Sequence, residues 1–131
     1  MYCMISTRPD LAYSISLLSR YISNLGKPHW DALEYMLRYI NGSIDISLCY
    51  KKMFDSLDLA GYVDSDFAGD RDSRKSTTSY FFTLGGNCIS WKSQLQPLVA
   101  LSSIEAEYVA VTNAFKEAVW LQGLINEIHL L

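Results

Sequence analysis

The chain has 131 residues, of which 50% are hydrophobic and 19% are charged, and its formal net charge is −3. This composition excludes an intrinsically disordered chain and a polybasic nucleic-acid coat. Every apolar stretch is shorter than the roughly 18 residues that a membrane span needs, and Arg8, Pro9 and Asp10 interrupt any secretory signal. Three cysteines without a CxxC pair exclude a zinc knuckle and suit a reducing compartment. We therefore expect an intracellular protein, cytoplasmic or nuclear, that is not secreted.

The first 43 residues carry two helical patterns and predict a helical hairpin. Apolar residues recur at spacings of three and four, which place them on one face of a helix. The first stripe consists of Leu11, Ile15, Leu18 and Ile22. The second follows Pro28 and consists of Trp30, Leu33, Leu37 and Ile40. Asn41-Gly42 supplies a C-terminal stop for the second helix.

The remaining residues, 44–131, predict strands followed by one long helix. Short apolar runs at 46–50 and 98–101 are weak strand candidates, and the stronger ones cover 57–64, 77–84 and 88–92. Ser102-Ser103 is expected to cap a helix over about residues 103–128. The predicted fold class is α+β, with a mixed sheet. An antiparallel three-stranded meander with additional short strands would carry the long C-terminal helix packed on it.

Glu107 stands in a stripe of the last helix that is otherwise apolar. The other members are Val111, Ala114, Ala118, Leu121, Ile125 and Ile128. Such a stripe is expected to face the sheet, and an unpaired charge there is costly. Glu107 is therefore predicted to need a cation, a hydrogen-bond donor or a metal, whereas Glu105 falls on a mixed and exposed face.

Asp64 ends an apolar strand and shares one face with Tyr62 and Asp66. A carboxylate at a strand end, opposite a helix with an inward-facing glutamate, predicts a site for Mg²⁺ or Mn²⁺ rather than Zn²⁺. Spacing alone leaves a structural alternative, in which Asp64 caps a turn and Glu107 pairs with a lysine or arginine.

Basic residues around the predicted hairpins, with one tryptophan, form a candidate surface for nucleic acid. Basic side chains bind phosphates, and an aromatic ring stacks on a base. The candidates are Arg71, Arg74, Lys75, Trp91 and Lys92. The alternative is ordinary hairpin charge beside a core or half-buried tryptophan.

Several motifs follow one another in a fixed order. They are GYVDSDFAGD at 61–70, RKSTTSY at 74–80, TLGG at 83–86, ISWKS at 89–93 and ALSSIEAEY at 100–108. This series resembles the ribonuclease H domain of copia-type LTR retrotransposon Pol polyproteins. The motifs TRPDLAY at 7–13, LSRY at 18–21, KPHW at 27–30 and LRYING at 37–42 resemble the segment that joins reverse transcriptase to that domain.

The resemblance implies a ribonuclease H-like fold and hydrolysis of the RNA strand of RNA–DNA hybrids. The family uses two Mg²⁺ ions held by carboxylates. Its first carboxylate, at the end of the first strand, matches Asp64, and its second, in an Ala-Glu pair, matches Glu107. Asp66 is a secondary candidate. The implied partners are an RNA–DNA hybrid and the reverse transcriptase region of the parent polyprotein.

The sequence departs from the family pattern at its C-terminal end. The third and fourth carboxylates of the family have no counterpart in residues up to Leu131, and His129 receives no catalytic role. We therefore predict a truncated domain with little or no nuclease activity and weak Mg²⁺ binding. The alternatives are a non-catalytic module that binds nucleic acid or protein, and a decayed fragment without a selected role. An uncovered sheet edge also predicts self-association.

Overall fold

A computed structural model describes residues 2–52 and 58–128. The contacts divide the chain into two compact units, Met1–Leu48 and Cys49–Leu131. The first unit is helical, whereas the second contains the sheet and the long helix. Each helix within the described residues is too short or too polar to span a membrane.

The first unit contains three helices and one helical turn. Its elements are α1 (Tyr2–Ser6), a 3-10 turn (Pro9–Leu11), α2 (Ala12–Ser19) and α3 (Lys27–Gly42). Pro9 and Pro28 lie in first turns, where the missing N–H has no helical partner to lose. The two predicted helices are thus present, although the first is shorter than its apolar stripe. The helix α1 was not predicted.

Arg8 joins the beginning of the first unit to the end of α3. Its guanidinium donates to the backbone oxygen of Ser43 at 3.0 Å and to Ser43 Oγ at 2.7 Å. It also forms a 2.8 Å ion pair with Asp10. The Tyr39 hydroxyl donates to the same carboxylate at 2.8 Å. The hydrogen bonds from Arg8, and secondly that from Tyr39, lower the pKa of Asp10 to about 2.

The second unit contains one three-stranded antiparallel sheet, in the order β1-β2-β3. The elements are β1 (Leu59–Ser65), β2 (Thr77–Leu84), β3 (Asn87–Leu95) and α4 (Ser103–Glu127). The predicted bounds of β2 are confirmed, and β3 runs further than predicted, to Leu95. The predicted start of the first strand, at residue 57, lies outside the described residues.

The two weak strand predictions are wrong. Residues 46–50 form no strand, and Ile46 and Tyr50 are exposed, so that burial does not favour a pleated surface there. Residues 98–101 lie in bends that lead into α4. Pro97, just before them, has no N–H to contribute to a sheet.

The core of the second unit lies between the sheet and α4. Its buried members are Tyr80, Phe82, Ala114 and Leu121, with Leu59, Val63, Ile89 and Ala118 packed around them. The rings of Tyr80 and Phe82 meet edge to face, with centroids 5.8 Å apart. This mixed arrangement of helix and sheet agrees with the predicted fold class.

The predicted burial of Glu107 is wrong. Its side chain is exposed, whereas its neighbour Ala106 is completely buried. The helix packs through alanines at every fourth position, namely Ala106, Ala110 and Ala114. Since alanine lets a helix approach a sheet closely, this row faces the strands, and Glu107 lies about 100° further around the helix.

Candidate active site

Asp64 lies near the C-terminal end of β1, opposite Ser79 of β2, and is exposed. Successive side chains of a strand point to opposite faces. Val63 packs against the core beneath α4, so Asp64 lies on the other face of the sheet, with Tyr62. Among the described residues, no further strand pairs with the outer edge of β1. Asp64 therefore stands at an accessible edge.

Glu107 lies in an early turn of α4 that is anchored by a local cap. Ser102 Oγ accepts a hydrogen bond from the backbone N–H of Glu105 at 3.2 Å. The Glu105 carboxylate in turn accepts from the backbone N–H of Leu101 at 2.6 Å. Glu105 thus takes part in the N-terminal cap of α4, together with Ser102, which the sequence predicted as a capping residue. Glu107 is the carboxylate of this turn that is exposed to solvent.

Asp66 closes the loop between β1 and β2. Its carboxylate accepts a hydrogen bond from the backbone N–H of Thr77, and its own N–H donates to Thr77 O at 3.2 Å. A Cβ added at Gly69 would lie only 2.7 Å from Asp66 Cγ, which shows how closely the carboxylate packs on this loop. The structure therefore gives Asp66 a structural task and places its carboxylate inside the loop.

Asp70 organises the tip of the same loop. Its carboxylate is buried and accepts from the backbone N–H of Ser73 at 2.9 Å and from the Ser73 hydroxyl. Arg71 and Arg74 are exposed beside it, and Lys75 is half-buried. Three of the candidate nucleic-acid residues thus share one loop.

Trp91 and Lys92 do not form one continuous surface with that loop. They are consecutive in β3, so their side chains belong to opposite faces of the sheet. Trp91 pairs with Phe81, on the face that carries Asp64, whereas Lys92 pairs with Tyr80 on the face of the core. The structure therefore separates these two candidates from each other.

An aromatic row crosses the face of the sheet opposite α4. Tyr62 of β1 is paired with Phe81 of β2, and Phe81 is paired with Trp91 of β3. The rings of Tyr62 and Phe81 stack with centroids 4.7 Å apart and planes 16° from parallel. This row was not predicted, although alternation within each strand and a correct hairpin register would have revealed it.

The ligand types fit a hard divalent cation, but the set is incomplete. Asp64 and Glu107 offer carboxylate oxygens, which Mg²⁺ and Mn²⁺ prefer. Within residues 2–52 and 58–128, no group of three or more His, Cys, Asp and Glu side chains is placed to hold a metal ion. The described residues thus do not form a complete metal site.

Comparison with known proteins relates the chain to transposon polyproteins. It is 48% identical over 130 residues to the retrovirus-related Pol polyprotein from transposon TNT 1-94 of Nicotiana tabacum, matching 99% of this chain and 10% of the polyprotein. It is 43% identical over 124 residues to that from transposon RE2 of Arabidopsis thaliana, matching 95% of this chain and 8% of the polyprotein. Nearly the whole chain is thus similar to a segment of retrovirus-related Pol polyproteins of copia-type transposons.

The chain also resembles a shorter protein. The secreted RxLR effector protein 161 of Plasmopara viticola is 46% identical over 121 residues, which cover 92% of this chain and 84% of the effector. The chain thus spans most of that protein but only about a tenth of the tobacco polyprotein. No family model and no solved structure matches the chain.

Proposed function

We propose that the second unit belongs to a ribonuclease H-like domain derived from a retrotransposon. The family reaction is metal-dependent hydrolysis of the RNA strand of an RNA–DNA hybrid. The observation that carries this proposal is the order of elements: an antiparallel meander with Asp64 near the end of its first strand, then a helix with Glu107 in an early turn. The relation to Pol polyproteins supports the same reading.

Asp64 and Glu107 are the proposed ligands of Mg²⁺ or Mn²⁺. Asp64 lies on the sheet face away from α4, so an ion shared with Glu107 would have to lie beyond the outer edge of β1. In the ribonuclease H reaction, bound metal ions supply an activated water and stabilise the leaving oxygen. The two carboxylates would bind these positively charged ions. Two carboxylates alone should bind them weakly.

The proposed substrate partner is an RNA–DNA hybrid contacted by the loop that carries Arg71, Arg74 and Lys75. These side chains would bind phosphates rather than read bases. The first unit is proposed to connect this domain to the reverse transcriptase region of a parent polyprotein. We also propose an intracellular location for this chain.

A cleavage assay on a labelled RNA–DNA hybrid with Mg²⁺ or Mn²⁺ tests the proposal. The polypeptide 1–131 should cut little, because its described residues contain no complete metal site. When it is extended with the following region of the tobacco relative, cleavage should appear and be lost in Asp64→Asn and Glu107→Gln. Glu105→Gln is the matched control, since Glu105 belongs to the helix cap and should not be required.

One result would contradict the low activity expected of residues 1–131, and a second would contradict the proposed metal ligands. Robust cleavage by residues 1–131 that disappears in Asp64→Asn would show that the present residues suffice. Cleavage by the extended chain that survives both Asp64→Asn and Glu107→Gln would reject these residues as metal ligands.

A second candidate function is a non-catalytic binding module. The aromatic row of Tyr62, Phe81 and Trp91 favours it, because aromatic rings on a sheet bind unstacked bases. A gel-shift titration against hybrid, duplex and single strands separates the two functions. Preference for single strands that is lost in Phe81→Ser would favour the binding module.

A further inference from the structure

A buried glutamine connects the sheet to the first turns of α4. Gln96 follows β3 and is only 1% exposed. Its backbone N–H donates to Ser76 O at 2.8 Å. Its side-chain Nε2 donates to Thr78 Oγ1 at 3.0 Å and to Ala106 O at 2.9 Å. One carboxamide therefore links β2 to α4 inside the protein.

The orientation of this carboxamide is fixed by the helix. The carbonyl of Ala106 only accepts hydrogen bonds, so the group that faces it must be the donating Nε2. Gln96 Oε1 is consequently buried without a hydrogen-bond partner among the described residues, as is the neighbouring hydroxyl of Ser65. A buried oxygen without a partner is unfavourable. The contact with Ala106 is thus kept at the expense of another hydrogen bond.

The residues of this network adjoin both candidate ligands. Ser65 directly follows Asp64 and pairs across the sheet with Thr78, which Gln96 contacts. Ala106, at the other end of the carboxamide, directly precedes Glu107. A displacement of Ala106 would therefore reach Glu107 through one peptide unit, and a displacement of Thr78 would reach Asp64 through the cross-strand pair of Thr78 and Ser65.

We propose that Gln96 is a positioning residue, which sets the spacing between the strand end that carries Asp64 and the helical turn that carries Glu107. The inference rests on the proposed function, because it assigns Gln96 a task for that same pair. Gln96 touches neither substrate nor metal. It acts through Thr78 and Ala106, which are both completely buried.

The test measures binding of Mn²⁺ to the polypeptide 1–131 by electron paramagnetic resonance. Gln96→Met keeps the approximate volume and removes the donors. It should weaken Mn²⁺ binding about tenfold, as loss of residues that orient metal ligands commonly does. It should also speed amide hydrogen exchange at residues 106–110. The control is Ile125→Val or Ile125→Ala, whichever lowers the free energy of unfolding as much as Gln96→Met does. Ile125 is suitable because it is buried near the other end of α4.

The outcomes separate this proposal from the proposed function. Equal effects of the matched Gln96 and Ile125 variants on Mn²⁺ affinity would overturn the positioning role, because general loosening would then explain both. If Asp64→Asn and Glu107→Gln leave Mn²⁺ binding of the parent chain unchanged, the proposed metal pair is wrong, and the role of Gln96 falls with it. Should Gln96→Met fail to fold, Thr78→Val removes one acceptor and must show a smaller change in the same direction.

Discussion

Gly61 of β1 lies against the ring of Phe82, its cross-strand partner in β2. A Cβ added at position 61 would lie 2.9 Å from Phe82 Cδ1 and closer still to the next ring atom. The ring of Phe82 is buried and meets the ring of Tyr80 edge to face. Glycine at this position therefore lets the two strands share a closely packed face.

Gly61→Ala should lower the free energy of unfolding by about 1–3 kcal/mol, because the added methyl overpacks the core. Urea denaturation measures the change. Gly123→Ala is the matched control: Gly123 lies inside α4, and nothing lies within 4 Å of an added Cβ. That variant should gain up to about 1 kcal/mol from better helix propensity. A neutral Gly61→Ala would show that the Phe82 ring gives way easily.

The Arg8–Asp10 pair predicts a pH dependence of the first unit. The folded pKa of Asp10 is about 2, below its ordinary value of about 4. The carboxylate thus stabilises the fold above about pH 4, and this contribution is lost as the pH falls towards about 2. Asp10→Asn should remove that dependence.

Helical circular dichroism in urea, between about pH 5 and pH 2, measures this effect. Glu34→Gln is the control, because Glu34 forms an exposed pair with Arg38 at 3.4 Å. Exposed pairs contribute little. If both substitutions change the pH profile equally, the Arg8–Asp10 pair is not its cause.

The loop between β1 and β2 predicts salt-dependent binding of an RNA–DNA hybrid. Arg71→Gln and Arg74→Gln should each weaken binding and lower the slope of log affinity against log salt by about one, because each removes one cation from a phosphate. Fluorescence anisotropy at several salt concentrations measures both quantities. Lys116→Gln, an exposed change on α4, should leave the slope unchanged. Binding that does not respond to salt would contradict the proposed surface.

Self-association is expected along the outer edge of β1 and the adjoining side of α4. An apolar groove of about 430 Å³ lies there, lined in part by Val63, Phe115 and Val119. Phe115 and Val119 are 66% and 70% exposed. An unpaired strand edge beside exposed apolar side chains favours contact with another copy.

Phe115→Glu combined with Val119→Lys should lower the mass measured by light scattering after size exclusion. Reducing agent is required, because oxidation of the exposed Cys3 and Cys49 would join chains and raise the measured mass. Thr112→Glu, at another exposed position of α4, is the control. A parent chain that elutes as a monomer at high concentration would contradict this expectation.

Local signals predicted the elements whose ends are fixed by local chemistry. The bounds of β2 follow from its Thr, Tyr and Phe residues and from Gly85-Gly86, whose positive φ angles of 54° and 77° form the hairpin turn. The start of α4 follows from Ser102, whose side chain caps the helix as expected. In these places the neighbouring residues alone determine the backbone.

Features that depend on contacts between elements could not be predicted from the sequence. Three members of the predicted stripe, Ala114, Leu121 and Ile125, are buried, whereas at the start of the helix packing against the sheet buries Ala106 and Ala110 and leaves Glu107 exposed. The aromatic row also depends on the register shift between Phe82 and Thr83, which brings Trp91 opposite Phe81. Gln96 carried no motif, because its importance comes from Thr78 and Ala106, which are distant in sequence.

The contact between Arg8 and Ser43 has a practical meaning for anyone who shortens this chain. It fastens the head of the helical unit to its tail across 35 positions. Removing the N-terminus through Arg8 would remove the hydrogen bonds that Ser43, just after α3, receives from Arg8. The first unit, Met1–Leu48, should therefore be kept whole, and any cut for separate study belongs after Leu48.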